Sequence, residues 1–125
     1  MPSLFGYNRL ATDVNFRRQF LGEAIGENAT LKGHSVTRVG PYRTLEPEEN
    51  SSVTGLLFRD VSDESLRKLD RQAAADGMTR HQFDVISGDA TISYAEAYVL
   101  GNHSLRIRRG VTKPVIRYAR EAVAA

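Results

Sequence analysis

Three histidines, His34, His81 and His103, are the side chains best suited to moving protons near neutral pH, and they stand far apart in the chain. None forms a pair at metal-ligand spacing with an acid or a second histidine. Each reads as a strand-surface or turn residue. The segments "HSVT" (34–37) and "NHSL" (102–105) set serine beside histidine. A serine nucleophile needs a recognisable elbow or a positioned base, and adjacency supplies neither. The glycines of "GEAIGENAT" (22–30) lack the Gly-Lys-Ser/Thr ending of a phosphate-cradling loop. With no cysteine, thiolate chemistry and disulfides are excluded.

Charge is unevenly spread. Residues 101–125 carry six basic side chains and one acid, Glu121, while residues 1–100 carry eleven basic and fourteen acidic side chains. Lys113, Arg117 and Arg120 would share one helix face. Such a face could engage nucleic-acid phosphates or a protein partner. Tyr118 is the only aromatic beside it, which gives base stacking little support. The competing reading is a solvated face, or one paired with acids of the body such as Glu46, Glu48 and Glu49.

The 125 residues fit one domain. Hydrophobic content of 41% and charged content of 26% are those of a soluble globular chain. The N-terminus lacks a basic region followed by an apolar run, so no signal peptide is expected, and no apolar stretch is long enough to span a bilayer. A cytoplasmic location and no membrane partner are the corresponding expectations. Three N-x-S/T triplets, at Asn28, Asn50 and Asn102, read as chance in that setting.

The elements that must position any site follow from periodicity. A short strand is expected at 3–7 with a turn at Asn8, then a helix over 11–23 capped by Thr12. A strand is expected at 28–40, with Leu31, Val36 and Val39 as candidate inward residues. Residues 41–52, "PYRTLEPEENSS", read as a loop from their prolines, acids and serines. A central strand follows at 53–61. The clearest helix is 62–77, with Ser62 as N-cap, Asp63 and Glu64 at the positive end of the dipole, and Leu66, Leu69 and Ala73 as one buried stripe. Gly77 suits its end. Strands at 80–87 and 91–100 are joined by "GDA", a tight hairpin signal, and a helix is expected over 112–125. The order predicts an α+β fold with a mostly antiparallel, curved or barrel-like sheet.

Several segments, in order, resemble the gamma-glutamylcyclotransferase-like family in its short, AIG2-like branch. "LFGYNRL" (4–10) is similar to the family's Leu-Phe-Val-Tyr-Gly-Thr-Leu strand and loop, and "FLGEA" (20–24) to its Phe-Leu-Gly-Glu-Ala. "GPYRTLEPEEN" (40–50) resembles a Gly-x-Tyr-Pro loop. "VTGLLFRDVSDESLRKLD" (53–70) resembles the family's Val-x-Gly-Glu-Leu-Tyr strand, acidic helix start and Leu-Asp. "TRHQFDVI" and "AEAYVL" resemble its last strands. The similarity covers residues 3–100, which implies a core over 1–100 and a basic C-terminal segment over 101–125 packed on it or extending from it.

The resemblance implies a small mixed barrel, mostly antiparallel, with flanking helices and one cavity. It implies a small anionic or γ-glutamyl-type ligand, with backbone N–H groups of Tyr7, Asn8, Arg9 and Leu10 binding its α-carboxylate. It implies a general base that moves a proton from the α-amine to the departing amine, releasing 5-oxoproline, with no metal or organic cofactor. Two positions depart from the pattern. Asn8 replaces the loop glycine, and asparagine tolerates positive φ better than most residues. The base position, counted from Leu69 and Asp70 within "KLDRQAAADG" (68–77), falls on Ala73, which cannot carry a proton. The standard activity is therefore expected to be lost or altered. Asp76, one turn on and followed by Gly77, is the substitute candidate, with Glu23 and Glu96 as further ones. The oligomeric state stays open.

Overall fold

The computed structural model describes residues 2–100. The basic segment 101–125, its expected helix and His103 lie outside the described residues. The chain runs β1 (Leu4–Gly6), α1 (Arg9–Thr12), α2 (Val14–Leu21), β2 (Glu27–Val39), β3 (Tyr42–Phe58), α3 (Asp63–Ala75), β4 (Met78–Ser87) and β5 (Ile92–Leu100). The strands close into a barrel in the order β1-β3-β2-β4-β5. Every pairing is antiparallel except β1 with β5, which meet in parallel at Leu4 and Glu96.

Alternation along the strands sorts side chains into two cores. Inside the barrel lie Phe5, Leu31, Leu45, Val53, Leu57, Phe83, Val85, Ala95, Ala97 and Val99. Outside it, Leu4, Phe58, Met78, Tyr98 and Leu100 pack against Leu66, Leu69 and Ala73 of α3. The expected helical stripe is thus the face that covers the barrel. Ser62 caps α3 by accepting the Ser65 N–H at 3.1 Å. Gly77, at φ 75°, lets the chain reverse into β4.

Three expectations change. Residues 41–52 are not a loop: Tyr42 onward is strand, antiparallel to β2. The register steps from Lys32↔Ser52 to His34↔Pro47, so residues 48–51 bulge out, with Asn50 at φ 72°. Pro47 is paired at the edge of this bulge, and Glu48, Glu49 and Asn50 are exposed, so turn-like residues sit within a strand. The helix expected over 11–23 is two helices, broken at Asp13, whose carboxylate accepts the Phe16 N–H at 3.1 Å and starts α2 in place of Thr12. Of the inward candidates on β2, Leu31 is buried, Val39 is half-buried on the outer core and Val36 is exposed.

Barrel closure needs close backbone approach at Gly55. A Cβ there would lie 2.3 Å from the Gly6 carbonyl oxygen and 2.9 Å from the Phe5 ring. Gly55→Ala should therefore destabilise the fold by about 2 kcal/mol, as overpacking does, measured by urea denaturation. A wild-type midpoint would show that β1 and β3 have room to separate.

Candidate functional site

A concavity of about 400 Å³ lies where α3, the entry to α1 and the β2–β3 turn meet. Helices and strands both line it. Asn8, Arg9, Leu10 and Thr12 come from α1 and its entry, and Phe16 from α2. Pro41, Tyr42 and Arg43 come from the β2–β3 turn and the start of β3. Leu69, Gln72, Ala73 and Asp76 form one face of α3 and its C-cap, and Met78 and Tyr98 close the floor. A helix brings positions three and four apart onto one side, so the same periodicity that buries Leu69 and Ala73 aims Gln72 and Asp76 at the cleft rim.

Of the residues singled out by sequence, the structure brings Asn8, Arg9, Leu10, Ala73 and Asp76 together here. Tyr7 does not line the cleft. It points into the barrel, and its hydroxyl donates to the Tyr98 carbonyl at 2.5 Å, with the Arg43 carbonyl at 3.4 Å. Asn8 adopts φ −124°, so the loop does not use the left-handed backbone that a glycine would allow. Glu23 is exposed and pairs with Arg18 at 3.7 Å, and Glu96 pairs with Arg80 at 3.0 Å; neither lines the cleft.

Arg9 is set by its neighbour. Its guanidinium lies 3.9 Å from the centroid of the Phe16 ring, a cation–π contact that places charge at the cleft mouth, and no acid among the described residues is within ion-pair distance of it. Asp76 has a nearby donor in Gln72, whose Nε2 lies 3.5 Å from Oδ2. The helix carrying Asp76 is fixed from below. Arg80 grips Asp70 with two nitrogens, Nε at 3.1 Å and Nη2 at 3.2 Å, and reaches Glu96 with Nη1. The Tyr98 hydroxyl donates to the same Asp70 at 2.7 Å. Two-point arginine–carboxylate pairs fix orientation as well as distance, so α3 is tied to both β4 and β5 beside the cleft.

Burial of its ring pushes the Tyr7 phenol well above the usual tyrosine range. Burial does the same for Tyr98, reinforced by its hydrogen bond to Asp70 and by that residue's charge. Both stay protonated and donate. Elsewhere, burial holds His81 below the ordinary histidine range, with its Nε2 2.8 Å from the Thr79 hydroxyl. Among the described residues, no group of three or more His, Asp or Glu side chains could hold a metal ion, and no helix is long and apolar enough to cross a membrane.

Sequence reasoning missed Tyr42, Arg43, Gln72 and Tyr98. Gln72 was accessible from its spacing to Leu69 and Asp76. Tyr42 and Arg43 arrive through barrel closure, which no local pattern reports.

A small barrel with flanking helices and a charged cleft between them defines a fold class, and comparison places the chain within it. The family model described as gamma-glutamyl cyclotransferase, AIG2-like, matches residues 4–115, and the chain belongs to that family. Two Arabidopsis thaliana proteins known from solution structures are similar, each with a TM-score of 0.69. They are 20% and 18% identical, and the matches cover 81% and 87% of this chain and 69% and 74% of theirs. A solved structure titled gamma-glutamyl cyclotransferase matches with a TM-score of 0.65 at 13% identity, over 98% of this chain and 86% of its own. No curated protein sequence matches.

The phenol at Tyr7 generates two expectations. Tyr7→Phe should cost about 1–2 kcal/mol at neutral pH, because the Tyr98 carbonyl loses its buried donor. The folded state holds the proton on Tyr7 and Tyr98 more tightly than the unfolded chain does. Their contribution is therefore complete below about pH 10, the unfolded value, and is lost as pH rises beyond it. Urea titrations from pH 8 to 11 should show a steeper alkaline loss of stability in wild type than in Tyr7→Phe. Parallel curves would contradict this assignment.

Proposed function

We propose that the cleft binds a γ-glutamyl-type, amino-acid-like anion, and that the standard cyclotransferase reaction is lost or altered. The supporting observation is the meeting of Arg9, the α1 entry and Asp76 in one cleft around Ala73. The first amides of a helix have no partners within it, and the first internal bond of α1 runs from the Ala11 N–H to the Asn8 carbonyl at 2.9 Å. The amides at the start of α1, with Arg9, suit an α-carboxylate. Asp76 suits the α-ammonium. Nothing at Ala73 can move a proton between them.

In the reaction implied by the family, the α-amine nitrogen bonds to the γ-carbonyl carbon and the bond to the departing amine breaks. The proton lost by the α-amine ends on that amine. This transfer needs a general base, whose loss typically costs two to four orders of magnitude in rate. A second reading keeps the reaction and gives the base role to Asp76, because its side chain lines the same cleft one turn beyond Ala73.

Release of 5-oxoproline from a γ-glutamyl amine separates the two. With activity lost, wild type is silent and Ala73→Glu raises turnover by at least about 100-fold, while Asp76→Asn weakens ligand binding. With Asp76 as base, wild type turns over and Asp76→Asn abolishes it. Wild-type turnover that survives Asp76→Asn would defeat both.

A further inference from the structure

Arg43 puts a second cation in the same cleft, and the barrel holds its backbone in place. Its carbonyl lies 3.4 Å from the Tyr7 hydroxyl. The next residue, Thr44, is fully buried and its hydroxyl accepts the Leu100 N–H at 2.9 Å. A side chain rooted on such backbone loses less freedom when it binds than one on a mobile loop.

Among the described residues, the charges that line the cleft do not balance. Arg9 and Arg43 line it with one carboxylate, Asp76. Among the described residues, the acids in ion pairs serve Arg18, Arg59, Lys68 and Arg80, and none lies within ion-pair distance of Arg9 or Arg43. An amino-acid head would place its carboxylate toward Arg9 and its ammonium toward Asp76. Those two charges cancel within the ligand, and Arg43 is left with no counter-charge among the described residues.

We propose that Arg43 is a specificity-determining residue that reads a second carboxylate, carried on the amine portion of the ligand. The inference rests on the γ-glutamyl reading above. The planar guanidinium can hold a carboxylate through two parallel hydrogen bonds. A neutral amine portion leaves it unpaired, and a cationic one is repelled.

Isothermal titration of the full chain with γ-glutamylglycine and with γ-glutamylglycinamide tests this, because the two differ only in the second carboxylate. Wild type should prefer the carboxylate compound by about tenfold or more, the range of a charge-assisted hydrogen bond. Arg43→Gln should cut the preference to about twofold or less, by weakening the carboxylate compound alone, and Arg43→Lys should restore part of it. Equal wild-type affinities, or a variant that weakens both compounds alike, overturn the role of Arg43 and leave the γ-glutamyl reading standing. Binding of neither compound by folded wild type overturns the reading itself, and Arg43's role with it.

Discussion

The barrel closes through three residues. Leu4, Phe5 and Gly6 pair with β3 on one side and meet β5 on the other, and all three are buried. A strand this short cannot tolerate separation from either neighbour, because its unpaired backbone groups would be buried without water. Its end is then fastened by the Tyr7 phenol, which spans from β1 to the Tyr98 carbonyl. The residues that enter the cleft begin at the next position. Their placement is therefore inherited from closure, and so is that of Arg43, on the strand that flanks β1.

The second constraint is the hold on α3. Its apolar stripe covers the barrel, but apolar packing is non-directional and would allow the helix to slide. The Asp70–Arg80–Glu96 ion pairs and the Tyr98 hydroxyl are directional, and they are half-buried or better. Partial burial shields them from the screening that makes exposed pairs nearly worthless. They fix the register of the helix that carries Ala73 and Asp76, so the distance between the missing acid and the present one is set by the scaffold.

How far this could be read from the sequence depended on range. Ser62, the stripe Leu66–Leu69–Ala73 and the glycine after Asp76 are local signals, and α3 follows them closely. The alternating strands at either side gave the mixed, mostly antiparallel barrel. Residues 41–52 misled because proline, glutamate and serine signal turns on average, whereas here they fill a bulge and a solvent-facing strand edge. Asp13 stands next to Thr12, which has the same capping chemistry, and no local pattern chooses between the two. Arg43 could not be placed, since its neighbours in the cleft are more than thirty positions away on α1 and about thirty on α3. Ala73 was legible as a departure only because a resemblance supplied the residue to expect.

The bulge at residues 48–51 divides the β2–β3 hairpin into two independently registered halves. The inner half, from Glu27↔Leu57 to Lys32↔Ser52, belongs to the barrel wall. The outer half, from His34↔Pro47 to Val39↔Tyr42, ends in the turn that lines the cleft. Because side chains alternate, slipping a strand by one residue reverses every face along it. Here the excursion absorbs such a slip: residues gained or lost within it change the size of the bulge and leave both sets of partners where they are. Chain length at this point is thereby uncoupled from the chemistry at the tip, which gives the fold a place to vary by insertion and deletion without rewriting its core or its binding residues.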